Sequence, residues 1–174
     1  MTLLSAIVLA ACGVAAITDL RSRRIPNALT LSLGAAVLLL RLLQGWSAFG
    51  TSLAVLVVVF VLGSLAFSMG WLGGGDVKLA AVAAAAFGFP DALPFLLYTS
   101  IGGGILAIAV SIACGRLGAT LGNVSALVRP MIYRGTVAVA PARGTTLPYA
   151  LAIAFGAVAV VLSHTALPIL RLSQ

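Results

Sequence analysis

Two residues in this sequence have the type and placement to carry chemistry, Asp19 and Asp76. The chain contains three acidic residues and no glutamate, and 62% of it is hydrophobic. Each aspartate sits where an apolar run ends, and a carboxylate at the edge of an apolar core is costly enough to be read as functional by default. Two carboxyl groups facing one cavity can divide acid and base work, because close like charges do not both ionise cheaply. One then holds a proton while the other activates water, which is aspartic-protease chemistry and needs no metal. The alternative for each is a salt bridge, Asp19 with Arg21 or Arg23 and Asp76 with Lys78. The third acid, Asp91, lies in the turn FPDA, where a solvated turn residue is expected.

The flanking residues differ between the two sites. Asp76 ends the run Gly73, Gly74, Gly75, which gives backbone freedom and lets another segment approach closely. Asp76 is also a candidate N-cap for the helix that follows. Around Asp19 the pattern is DLRSRRIPN, in which Pro26 fixes a turn and Asn27 is placed to cap the next helix. Other nucleophile systems find no support at this edge. The single histidine, His164, falls near the far end of the last apolar segment. Cys12 and Cys114 form no CxxC pair and read as small buried hydrophobes. A metal site would lack a third protein ligand of the usual kind.

The elements that must position these residues follow from hydropathy. Only 7% of the 174 residues are charged, against about 25% in a soluble domain, so the chain cannot cover a water-facing surface. Apolar runs recur at about 3–18, 28–43, 50–69, 77–88, 93–114 and 147–168. Helices are expected, because backbone groups in lipid must bond within their own segment. The fourth run is too short to span alone, and its alanines suit close packing at a central position. The expected fold is an all-α polytopic transmembrane bundle of about six spans, in one domain covering residues 1–174. The first run lacks a basic segment before it and a small-residue cleavage site after it, so it reads as a retained span rather than a signal peptide. The loop 115–146 is the longest and could include a helix lying at the interface.

The net charge is +7. In a soluble protein that would suggest nucleic acid; here the basic residues lie in short loops and read as topology signals and contacts to anionic lipid. Eight of the ten basic residues fall on one side if loops alternate, leaving only Arg41 and Arg171 on the other. The positive-inside rule then places both termini outside and both Asp19 and Asp76 at the cytoplasmic edge.

DLRSRRIPN after a first span, GGGDVKLAA opening a later helix and TLPYALAIAFG opening the last, in that order, resemble the type IV prepilin peptidases, a branch of the GxGD intramembrane aspartic proteases. The resemblance implies that Asp19 and Asp76 are the catalytic pair. It implies a multi-pass protein of the inner (cytoplasmic) membrane that cuts the leader from prepilin-like proteins on the cytoplasmic side, usually after a glycine, with no cofactor. Gly73, Gly74 and Gly75 would shape the second catalytic turn, Lys78 would tune Asp76 or contact substrate, and Pro26 and Asn27 match the first motif. Longer members carry an N-terminal part with paired cysteines linked to methylation of the new N-terminus. This sequence has no such cysteines, resembles the short peptidase-only forms associated with Flp/Tad-type pili or archaeal-type relatives, and is not expected to be a methyltransferase. Two other functions fit an apolar chain with two acids: a proton-coupled small transporter using them as a relay, and a non-catalytic subunit of a pilus or secretion complex.

Overall fold

The computed structural model describes residues 3–115, 118 and 148–171, with side chains of the last helix described up to His164. Every element among them is an α-helix: α1 Leu3–Ser22, α2 Asn27–Gln44, α3 Trp46–Ser68, α4 Gly74–Phe87, α5 Ala92–Ala113 and α6 Tyr149–Arg171. The expected interfacial helix in the loop 115–146 falls outside the described residues. The chain divides into two compact units, Met1–Gly103 with Pro148–Gln174, and Gly104–Leu147. All features below belong to the first unit unless stated.

Four helices, α1, α2, α3 and α5, are long and apolar enough to cross a membrane. The bundle has six helices, in line with the expected six segments. Helix α4 has 14 residues, about 21 Å at 1.5 Å per residue, against a hydrocarbon core of about 30 Å, as the short fourth run led one to expect. Helix α6 runs 23 residues, Tyr149–Arg171. The break expected between the second and third runs shrinks to one residue. Gly45 takes φ 126°, a conformation open to glycine, and α3 begins directly at Trp46.

Helix α4 is the centre of the bundle, touching α1, α2, α3 and α6. Its composition explains why. Ala83, Ala84 and Ala85 are fully buried, and side chains this small let four neighbours approach one axis. Val77 packs against Gly63 of α3, where a Cβ would come within 2.7 Å of the valine. Helix α3 has the opposite character: only Ser52 is buried, while Val57, Val58, Phe60, Val61 and Leu62 point outward. Trp46 and Trp71, both largely exposed, flank the two ends of α3 at the levels where aromatic residues settle in a bilayer.

Contacts fix the helix directions. Asn27 and Lys78 meet at one end, and Arg41 meets Ala86 and Phe87 at the other, so α2 and α4 run parallel. Asp19 meets Ala150 at the first end, while Leu4, Val8, Val161 and His164 line a shared cavity of about 570 Å³ at the second, so α1 and α6 run antiparallel. At that second end Arg41 donates to the carbonyls of Ala86 at 2.6 Å and Phe87 at 2.8 Å, satisfying the last turn of α4. Asp91 is not simply solvated, as its turn context suggested: it pairs with His164 at 3.3 Å. Cys12 is buried as expected, but Cys114, in the second unit, is exposed.

Because α4 is packed on all sides by small contacts, overpacking it has a defined cost. Ala84→Leu is expected to destabilise the protein by about 1–3 kcal/mol, read as a lowered thermal midpoint in detergent. Val58→Leu on the outward face of α3 leaves the midpoint unchanged.

Candidate active site

Helix α1 buries a stripe made of Leu4, Val8, Cys12, Ala15, Ala16 and Asp19. The spacing of three and four residues keeps all of them on one face. Asp19 is therefore the last residue of the core stripe of α1, buried at 8% exposure. The helix runs on past it, further than hydropathy indicated, because its polar residues bond to their own helix. Thr18 donates to Ala15 O at 2.9 Å and Ser22 to Thr18 O at 2.7 Å. It ends at Arg23, whose φ of 50° is left-handed and whose N–H closes on Asp19 O at 2.9 Å.

The partner of the Asp19 side chain comes from the far end of the chain. Ala150 N–H donates to Asp19 Oδ2 at 3.3 Å. Pro148 sets the start of α6, and the N–H groups of a first helical turn have no partner within their own helix. The positive end of α6 favours negative charge at that oxygen. Sequence reasoning marked TLPYALAIAFG only as a pattern and missed this contact; the available signal was a proline opening a helix, which leaves backbone donors free.

Asp76 is placed differently from expectation. It is not the N-cap of α4; Gly73 is. Asp76 stands three residues on, and its carboxylate lies back against Gly73, whose backbone N–H favours its charge. Its Oδ2 lies 2.7 Å from where a Cβ on residue 73 would be, so a side chain there would displace the carboxylate. Gly75 answers a different need, since a Cβ would come within 3.1 Å of Ile25 Cβ. The close approach anticipated for the glycine run is thus made by the segment joining α1 to α2. At Gly74 a side chain would meet only ordinary contact with Phe67, 3.5 Å away.

The structure brings Asp19 and Asp76 together. They lie at the same end of the bundle, near enough for their charges to act on each other. Asp76 lies outside the four long spans, on the first turn of α4. Burial first, and the charge of Asp19 second, push its carboxyl up to about 6 against the opposing Gly73 N–H. Its Oδ1 is buried and has no hydrogen-bond partner. Among the described residues Asp76 does not pair with Lys78, nor Asp19 with Arg21. Lys78 Nζ donates instead to Asn27 Oδ1 at 3.0 Å. Asn27 is accordingly not the cap of α2, a position held by Pro26, but a tie between α2 and α4. Arg21, Arg23, Arg24 and Pro26 are exposed around this end. Tyr149 stands within reach of the charge of Asp76, and its ring packs on Gly103 of α5.

Such an arrangement can hold one proton between two carboxyl groups. One oxygen, on Asp19, is fixed by a backbone donor, and another, on Asp76, is left buried and bare. Among the described residues no three His, Cys, Asp or Glu side chains gather where a metal ion could be held.

No curated protein and no solved structure matches the chain. A family model described as type IV leader peptidase family matches residues 6–108, which takes in both aspartates, the arginine turn and the glycine run. With more than half its length matched, and both motifs folded onto one end of a helical bundle, the chain belongs to the type IV leader peptidase family.

Proposed function

We propose that the protein is a membrane-embedded aspartic endopeptidase that removes the leader peptide of prepilin-like proteins at the cytoplasmic face of the inner membrane. Family membership supports a peptidase. The observation that carries the aspartic mechanism is the coupling of Asp19 and Asp76, two acids 57 positions apart in sequence that α1 and α4 bring to one end. In this reading Asp19 is the base, held by Ala150 N–H, and takes a proton from water as the water attacks the scissile carbonyl. Asp76, whose carboxyl is raised, gives its proton to the carbonyl oxygen. As the tetrahedral intermediate collapses, Asp19 gives its proton to the leaving amine and Asp76 takes back the proton of one hydroxyl, which restores both acids and leaves the carboxyl product. The exposed arginines beside the site support a cytoplasmic location through the positive-inside rule. Gly73 and Gly75 serve as space for the Asp76 carboxylate and for the α1–α2 connection. Lys78 and Asn27 serve as the tie that holds that connection against α4.

A proton relay in a carrier would set acids at several depths. Here Asp91 is at the opposite end, engaged with His164, and no acid lies between. That favours hydrolysis at an interface.

Co-expression with a candidate prepilin, following leader removal by gel mobility, tests the reading. Asp19→Asn and Asp76→Asn are each expected to abolish cleavage, since an amide cannot shuttle the proton; Asp91→Asn retains it. Near wild-type cleavage by either of the first two variants would sink the mechanism. The pH dependence follows from Asp76. The acid form that donates the proton persists below about 6 in the free enzyme, so kcat/KM falls as pH rises through that value. Substrate adds burial and raises the carboxyl further, so the alkaline limb of kcat lies at higher pH than that of kcat/KM. A kcat/KM profile with no alkaline limb in this region would contradict the assignment of Asp76 as acid.

A further inference from the structure

The first turn of α6 is bonded to Asp19 and lies within reach of the charge of Asp76. Its backbone, at Ala150 N–H, is bonded to Asp19 Oδ2 at 3.3 Å. The side chain one residue earlier is Tyr149, half-buried and within reach of the Asp76 charge. Its ring is pinned from the other side by α5. A Cβ on residue 103 would stand 2.8 Å from Tyr149 Cε2, 3.1 Å from Cζ and 3.0 Å from the hydroxyl oxygen. Gly103 is therefore a socket shaped for the hydroxyl end of the ring. Among the described residues no group in the protein bonds to that hydroxyl. The hydroxyl is therefore open to an incoming partner. Packing alone would be served by phenylalanine, and it does not account for a hydroxyl within reach of the Asp76 charge.

The chemistry of peptide hydrolysis supplies the missing partner. As water adds, the carbonyl oxygen gains negative charge, and a fixed neutral donor at that oxygen lowers the barrier. A phenol is protonated at neutral pH and donates without giving up its proton. Resting on the aspartic-peptidase reading, we propose that Tyr149 is a third catalytic residue. Its hydroxyl donates a hydrogen bond to the scissile carbonyl oxygen as charge develops there, and Gly103 is the positioning residue that sets the hydroxyl. The proton of Tyr149 stays on the phenol; the proton that moves to the carbonyl oxygen comes from Asp76.

The test uses the full chain in detergent with the prepilin that the wild-type protein cleaves. Tyr149→Phe keeps the ring on Gly103 and removes only the donor. It is expected to lower kcat by about 10²-fold or more, in the range for loss of one oxyanion donor, with KM and thermal midpoint near wild type. Gly103→Ala shifts the hydroxyl and lowers kcat by a similar factor, and the double variant is no worse than Tyr149→Phe, because both act on the same contact. Wild-type kcat for Tyr149→Phe, while Asp19→Asn and Asp76→Asn are inactive, overturns the role of Tyr149 and leaves the acid pair standing. A raised KM with unchanged kcat does the same. Activity in the aspartate variants removes the parent reading and this one together.

Discussion

Keeping two carboxyl groups side by side at the end of an apolar helical bundle is the demand that organises this protein. Among the described residues no cation is bonded to Asp76, and both carboxyls lie against backbone. Asp19 is met by a donor at the free N-terminus of α6, and Asp76 by the N–H of the residue that caps its own helix. Those two donors require α6 to begin at the level where α1 ends, and α4 to begin beside both. They also require a residue with no side chain at position 73. The antiparallel pairing of α1 with α6, the parallel pairing of α2 with α4 and the glycine run all serve that one meeting point.

Helix α4 is the means by which the demand is met. It is short because it does not need to cross the membrane, and rich in alanine because four helices must reach it. The longer helices, α3 above all, present the large side chains outward and supply the apolar surface. This division places the most buried element of the bundle directly behind Asp76, and burial is the larger of the two causes that raise its carboxyl.

The two ends of the bundle carry different polar groups. At the far end Arg41 covers the last carbonyls of α4 and Asp91 pairs with His164, while Arg41 Nε and Ser52 Oγ stay buried without a partner. At the near end the bare buried atom is a carboxyl oxygen, Asp76 Oδ1. An orphaned buried carboxyl oxygen is costly. It is what a site that receives or gives a proton would present before substrate arrives.

Much of this was legible in the residues. Low charge and recurrent apolar runs determined a helical membrane protein, since lipid leaves backbone groups no other partner. The rarity of acids singled out Asp19 and Asp76, and alternating loops put them at one end. The alanines of the fourth run marked it as central. The caps were misread. Asp and Asn favour helix starts, but Asp76 and Asn27 each turned to a stronger local or distant partner. What tertiary structure alone decided is the proximity of the two acids and the donor that holds the first of them. The contact between Ala150 and Asp19 joins residues 131 positions apart. It is made by a backbone N–H, which every residue except proline carries, and so no residue type could announce it.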